Sequence, residues 1–126
     1  MKLVLAIAAG GAIGAVGRHF VNVLVLSWFG PNFPWGTLTV NFVGCFLMGV
    51  LVETSALVWS PPPALRAMIA IGFLGALTTF SSFSLDVAIL YERGQALLAA
   101  GYVLASVVLS IGGIFSALAL VRALAA

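Results

Sequence analysis

Two glycines and five hydroxyl residues interrupt the third of four oily stretches in this chain. The run is Gly72-Phe73-Leu74-Gly75-Ala76-Leu77-Thr78-Thr79-Phe80-Ser81-Ser82-Phe83-Ser84, and its last seven positions hold five Ser or Thr with Phe80 and Phe83 set among them. In a soluble protein such a run marks a surface loop, but here both flanks, 68–73 and 87–91, are strongly apolar. Irregular or hydroxyl-rich backbone persists at membrane depth only where protein buries it or where it lines a polar path. The stretch therefore reads as the working centre of a small integral membrane protein.

The rest of the chain supports that class. Its 126 residues are 63% hydrophobic and 6% charged, against roughly 25% charged in soluble domains. At about 20 residues per spanning helix, the chain is expected to be all-α, a single transmembrane domain with helices over about 3–28, 36–57, 64–91 and 96–121. So small a protomer can hardly enclose a wide cavity, so an oligomer is expected, with any substrate path between helices or between subunits. Lys2 followed by an apolar run resembles a signal peptide, with Ala6-Ile7-Ala8 as a cleavage site, but the run continues to Trp28 and favours a retained first helix. Gly30-Pro31-Asn32-Phe33-Pro34 breaks the chain between Trp28 and Trp35, which read as interfacial anchors, and Trp59-Ser60-Pro61-Pro62-Pro63 forms a stiff second turn. Glu53 lies close enough to that end to reach water. The third span is expected to break near 75–79, because glycine lacks a β-carbon and Ser or Thr can bond freed carbonyls.

Charge is sparse but bears on orientation. A formal net charge of +2 built from eight Lys, Arg, Asp and Glu residues gives no reason to expect a nucleic acid partner. With alternating spans, Lys2, Arg66 and Arg122 fall on one side and Arg93 on the other, with Arg18 inside the membrane nearer the Arg93 side. So slight a bias does not fix one orientation, and the hypothesis it supports is insertion both ways, with pairing to an inverted copy.

Chemistry-bearing residues fall on a few helical faces. Gly10 and Gly14 have the spacing that lets another helix approach closely. Arg18 and Asn22 share a face one turn further on, and Arg18 stands between two readings, a functional charge at depth or a side chain snorkelling to the interface. His19 reads as an interfacial polar residue. Thr37, Asn41, Gly44 and Met48 form one stripe, in which the Asn41 amide needs either an interhelical bond or a permeant to bond to. Tyr102, Ser106, Ser110 and Gly113 form a second polar seam. Two seams of amide and hydroxyl donors suit an anion stripped of part of its water, and the positive ring edges of Phe80 and Phe83 suit the same sign of charge. Cys45 reads as a small buried residue that carries no redox argument. No carboxylate pair, Ser–His arrangement or Cys/His cluster supports catalysis.

Three ordered motifs then carry a resemblance. Gly10-Gly11-Ala12-Ile13-Gly14-Ala15-Val16-Gly17-Arg18, Pro34-Trp35-Gly36-Thr37-Leu38-Thr39-Val40-Asn41-Phe42-Val43-Gly44 and the 72–84 run resemble the Fluc/CrcB fluoride channels along nearly the whole chain. The resemblance implies a dual-topology homodimer of antiparallel, inverted protomers in the inner (plasma) membrane, with two fluoride pores at its interface and a structural sodium ion at its centre. It implies that Asn41 contributes to a polar track, that Phe80 and Phe83 line the pores, and that Tyr102, Ser106 and Ser110 line the fourth-helix side. Thr37 and Thr79 are assigned to the same pore. The sodium would be held by backbone carbonyls of Gly75 and Thr78, while Arg18 would stand near an aqueous vestibule and Gly14 at a helix contact. Ser82 and Asp86 depart conservatively from the usual pattern, where threonine and glutamate are commoner. The implied activity is passive export of cytoplasmic fluoride. The alternative, a small dual-topology multidrug/proton antiporter, would want a membrane-embedded carboxylate in the first span, which has none.

Overall fold

In the computed structural model, which describes residues 1–126, the chain is entirely helical. Its elements are α1 (Lys2–Phe29), α2 (Trp35–Leu57), α3 (Pro63–Ala67), a π-helical segment (Met68–Leu74), α4 (Gly75–Leu77), α5 (Phe80–Glu92) and α6 (Ala96–Ala125). Four helical stretches, Lys2–Phe29, Trp35–Leu57, Pro63–Glu92 and Ala96–Ala125, are long and apolar enough to cross a membrane. Their ends follow local chemistry. Gly30, at φ 78°, closes α1 with its N–H on the Leu26 carbonyl. Pro63 opens α3 at a position where a missing N–H costs nothing. At the end of α2, the Ser60 hydroxyl donates to the Ser55 carbonyl at 3.1 Å.

Two seams hold the bundle together. α1 lies along the π-helical segment, and α2 lies along α6. On the first seam the backbones touch: a β-carbon at Gly10 would overlap the Met68 carbonyl, one at Gly14 the Phe73 carbonyl, and one at Gly72 the Ile7 carbonyl and Gly11 nitrogen. Lipid tails are as apolar as leucine, so packing of this closeness is what drives helices together in a membrane. The second seam has one such close approach, a β-carbon at Gly49 meeting the Ile114 carbonyl and the Ala117 methyl, and side chains fill it at Gly113, which lies against the Phe42 ring.

Only 24 of the 126 residues are buried, which leaves leucines, valines and phenylalanines facing outward along every span. Hydrocarbon or another chain must cover such a surface. The small core has two parts. Leu38, Phe83, Leu90, Ala99 and Tyr102 join α2, α5 and α6, while Val40, Leu74 and Leu77 join α2 to the first half of the third span. Between these two clusters lies the departure from helix at Thr78 and Thr79.

One ion pair ties the ends of α2 and α6. Arg122 Nε donates to Glu53 Oε1 at 2.5 Å, and Arg122 Nη2 reaches Glu53 Oε2 at 3.4 Å. Glu53 was expected to reach water and instead is buried, because α6 runs on past residue 121 and brings the guanidinium to it.

Candidate functional site

The third span leaves the helix at two residues. α4 keeps helical geometry through Leu77, and Gly75 itself is helical at φ −63° and ψ −35°. Thr78 (φ −81°, ψ 155°) and Thr79 (φ −153°, ψ 119°) are extended, and α5 begins at Phe80. Side chains rather than glycine flexibility define the departure. The Thr79 hydroxyl caps α5 by accepting the Ser82 N–H at 3.1 Å, as a Thr at the N-cap position does. The Thr78 hydroxyl turns back to donate to the Leu74 carbonyl at 2.9 Å.

Asn41 on α2 satisfies the extended backbone. Its Oδ1 accepts the Thr79 N–H at 2.7 Å, and its Nδ2 donates to the Thr79 carbonyl at 3.0 Å. The amide thus pairs with a main-chain residue in both directions, as a neighbouring strand would. Gly44, one turn along α2, leaves the space that the Thr78 methyl group fills. Two consequences follow. One N–H of Asn41 remains free to donate. The Gly75 carbonyl loses its helical partner, since the N–H four residues on belongs to Thr79 and is taken by Asn41.

Beside this pair lies a cavity of about 290 Å³, lined by Asn41, Cys45, Thr78, Thr79, Phe80, Phe83, Ser106, Val107, Ser110 and Ile111. Asn41, Thr79, Phe80, Phe83, Ser106 and Ser110 thus come together from α2, the third span and α6. The Phe80 and Phe83 ring centres are 5.5 Å apart, yet their surroundings differ: Phe80 is 78% exposed and Phe83 only 8%. Ser106 is 6% exposed, and its hydroxyl oxygen is buried without a hydrogen-bond partner.

Thr37 and Tyr102 do not line this cavity. Thr37 lines a second one, of about 280 Å³, at the end of the bundle that carries the α1–α2 and α5–α6 connections, together with Asn22, Asn32, Asp86 and Arg93. Tyr102 is wholly buried between the two. Its ring packs on Phe83 at 5.1 Å and on Phe33 edge-on at 5.3 Å, while its hydroxyl donates to Asp86 Oδ2 at 3.0 Å. Asp86 lines one cavity and Phe83 the other, so Tyr102 stands as the wall between them.

Arg18 and Gly14 lie on α1. Gly14 is at the backbone contact with Phe73. Arg18, half-buried, brings Nη1 to 3.5 Å from the Thr78 carbonyl, so its charge turns inward to the extended residues rather than away from them. His19 is exposed beside Phe20. No three of the His, Cys, Asp and Glu side chains converge as metal ligands would.

Asp86, Asn22 and Cys45 are among the residues of these cavities that were not foreseen as parts of a site. A carboxylate inside an apolar span is a signal in itself, and Asp86 sits three residues after Phe83, on the same helical face. Asn22, whose Oδ1 is buried without a partner against Gly36, was read only with Arg18. Cys45, expected to be a buried packing residue, is half-buried and lines the membrane-depth cavity.

Residues 5–118 match a family model described as "CrcB-like protein, Camphor Resistance (CrcB)". The chain is 56% identical over 122 residues to a Rhodospirillum centenum protein named "Fluoride-specific ion channel FluC", covering 97% of each chain. It is 53% identical over 116 residues to a protein of that name from Agrobacterium fabrum, covering 92% of this chain and 93% of the other. A third, from Rhizobium etli, is 50% identical over 120 residues, covering 95% and 96%.

Proposed function

The chain belongs to the CrcB-like family, and on that premise we propose that it is a passive, fluoride-selective channel through which cytoplasmic fluoride leaves the cell. It is a multi-pass integral protein of the bacterial plasma membrane. The observation that carries the reading is similarity over nearly the full length to proteins named as fluoride-specific ion channels. The membrane-depth cavity has chemistry suited to the task. Fluoride is small and strongly hydrated, so a path for it must replace water with donors while staying too narrow for larger halides. The hydroxyls of Thr79, Ser106 and Ser110, the remaining N–H of Asn41 and the ring edges of Phe80 and Phe83 are such donors. A path from this cavity to the second one, at Thr37, would have to pass Tyr102, the wall between the two. Fluoride enters cells as the neutral weak acid and dissociates in the less acidic cytoplasm, so the trapped anion leaves down its gradient without a coupled energy source.

The working unit is a homodimer of inverted protomers. The slight charge bias supports insertion both ways, and the broken third span supports a partner: Phe80 is 78% exposed beside extended backbone, a surface poorly suited to lipid. A structural sodium ion between the protomers would be held by the Gly75 and Thr78 carbonyls. The donor chemistry fits, because a hard cation takes oxygen ligands and the Gly75 carbonyl has given up its helical donor. Arg18 approaches the Thr78 carbonyl only at 3.5 Å, a contact long enough to yield. Two carbonyls from each of two protomers would then surround the ion.

Proteoliposomes loaded with fluoride test the channel. Rapid, charge-carrying fluoride loss with chloride retained is expected, and equal loss of both halides, or no fluoride loss together with proton-coupled export of an organic cation, would overturn the reading. C-terminal reporters active only inside or only outside the cytoplasm test the inverted pair, with signal expected from both and a one-sided signal counting against it.

A further inference from the structure

One end of the bundle, where α2 finishes, α3 begins and α6 finishes, is cationic. α1 runs parallel to the third span, with Gly10 against Met68 and Gly14 against Phe73, so Lys2 joins Arg66 and Arg122 at this end. Against these three stands one carboxylate, Glu53, which is buried and held by Arg122. Lys2 and Arg66 are exposed and belong to no ion pair. The Arg122 side chain, 63% exposed, keeps N–H groups that Glu53 does not take. Two hollows flank α2 at the same end. One, of about 240 Å³, lies between α2 and the third span and is walled by Trp59, Ile69 and Phe73. The other, of about 290 Å³, lies between α2 and α6 and is walled by Val58, Val121 and Leu124. Val50 and Thr54, one turn apart on α2, border both, so a ridge of α2 divides them. Arg66 precedes Ile69 by one turn and Arg122 follows Val121 directly, which puts a cation near the wall of each hollow.

We propose that this end of the bundle binds an anionic phospholipid, with one acyl chain in each hollow astride the Val50–Thr54 ridge and the phosphate drawn to Arg66 and Arg122. The site needs only insertion in a membrane, so it stands apart from the channel reading. Shape selects the occupant first. Two apolar hollows parted by a single helical turn match a molecule with two chains, whereas a helix of a second copy, about 10 Å across, would ride on the ridge and leave both unfilled. Charge selects it next. Cations at the membrane surface favour anionic headgroups by about fivefold in occupancy for each Lys or Arg, and two of the three here have no carboxylate of their own. The opposite end, where Glu92 and Arg93 are neighbours, has no such excess. Trp59, 53% exposed, supplies the boundary, with an apolar ring for the chain and an N–H for the headgroup. A zwitterionic lipid brings the same two chains, but its ammonium group is repelled by these cations.

The test uses native mass spectrometry of the full-length protein released from detergent, with phosphatidylglycerol and phosphatidylcholine of identical chains as probes. Phosphatidylglycerol is expected to be retained at about fivefold higher occupancy or more, and Arg66→Gln to lose about fivefold of it. Arg93→Gln, which removes a cation from the opposite end, is expected to bind as the wild type does. In liposomes, phosphatidylglycerol with a photoreactive diazirine in one acyl chain is expected to label the peptides that hold Trp59 and Val121 above the rest of the chain. Equal occupancy by the two lipids, equal loss in Arg66→Gln and Arg93→Gln, or label spread evenly over all four spans would each overturn the proposal. Label elsewhere with none at these two peptides would give the face to a second copy and overturn it as well. The lipid competition and the labelling are read on the wild type, so they decide the matter even if a variant does not fold.

Discussion

The third span departs from the α-helix twice, by opposite means. In Met68–Leu74 the turns widen, yet the backbone stays within a helical ladder, and the Gly75 N–H still finds the Ala70 carbonyl. Two residues beyond α4, at Thr78 and Thr79, the ladder stops and a side chain from another helix takes over the bonding. The first departure is closed on itself and pressed against α1 through Gly10, Gly14 and Gly72. The second is open, and the donors and acceptors it displaces border a cavity. A span can change pitch using its own partners, but it can leave the helix at membrane depth only where a neighbour supplies them. The wide segment is therefore a packing device, and the extended pair is where polar chemistry becomes available.

Removing the neighbour's contribution is the harshest way to break that contrast. Asn41→Leu leaves the Thr79 N–H and carbonyl unpaired; at about 1–3 kcal/mol for each buried group, the local cost is about 2–6 kcal/mol. Fluoride efflux from liposomes is expected to fall by about 100-fold or more, since the wall of a selective path is lost with its donor. Thermal denaturation in detergent should show the accompanying loss of stability. Unchanged efflux would mean that the extended pair does not border the path.

Next in size is the closed departure. Gly14→Val drives a branched side chain into the Phe73 carbonyl, and overpacking of this kind costs about 1–3 kcal/mol. The expected outcome is less folded protein on size exclusion and a lower melting temperature, with the halide selectivity of the folded fraction preserved. A change of selectivity would show that the α1 contact and the open site are coupled.

The two departures were not equally legible in the amino-acid sequence. The glycine spacing of α1 and the apolar length of the four spans are local patterns, and they point directly to close packing and membrane helices. That the Asn41 amide needs a partner was also readable, from the cost of an unpaired amide in hydrocarbon. That the partner is the backbone of Thr79 was not, because it lies 38 residues away. Gly75 drew attention as the residue most able to leave the helix, yet permission is not cause: it stays helical, while the Thr79 cap and the Asn41 amide act four residues later. Glu53 and Asp86 were hidden for the same reason, since Arg122 and Tyr102 reach them from α6, a helix far along the chain.

Phe80 and Phe83 allow a finer comparison on the open side. Phe83 packs on both Tyr102 and Phe80, whereas Phe80 is largely exposed, so Phe83→Ile loses two aromatic contacts worth about 0.5–1.5 kcal/mol each beyond their area, and Phe80→Ile loses the one it shares with Phe83. Both substitutions are expected to reduce fluoride efflux strongly, because both rings line the cavity. Phe83→Ile should lower the melting temperature more than Phe80→Ile does. If Phe80→Ile leaves efflux intact, the exposed ring belongs to packing against lipid or a partner rather than to the path.

The smallest expected effect on stability is the most telling about the site. In most buried positions a serine hydroxyl bonds its own helix, and its removal costs a hydrogen bond. The Ser106 hydroxyl makes no hydrogen bond of good geometry, with the Tyr102 hydroxyl as its weak polar neighbour, so Ser106→Ala removes little and should change stability by less than about 0.5 kcal/mol. Its desolvated oxygen is best used when something occupies the cavity beside it. Fluoride efflux is therefore expected to fall several-fold while the melting curve stays in place, and Ser106→Thr, which keeps the hydroxyl, should retain more of the flux than alanine does. Equal flux in Ser106→Ala and wild type would remove Ser106 from the path and leave its unpaired hydroxyl to a bound water, whereas a parallel loss of flux and stability would place it in the packing of α2 on α6. A selective loss of flux would separate the two kinds of departure in the third span at the level of a single oxygen atom.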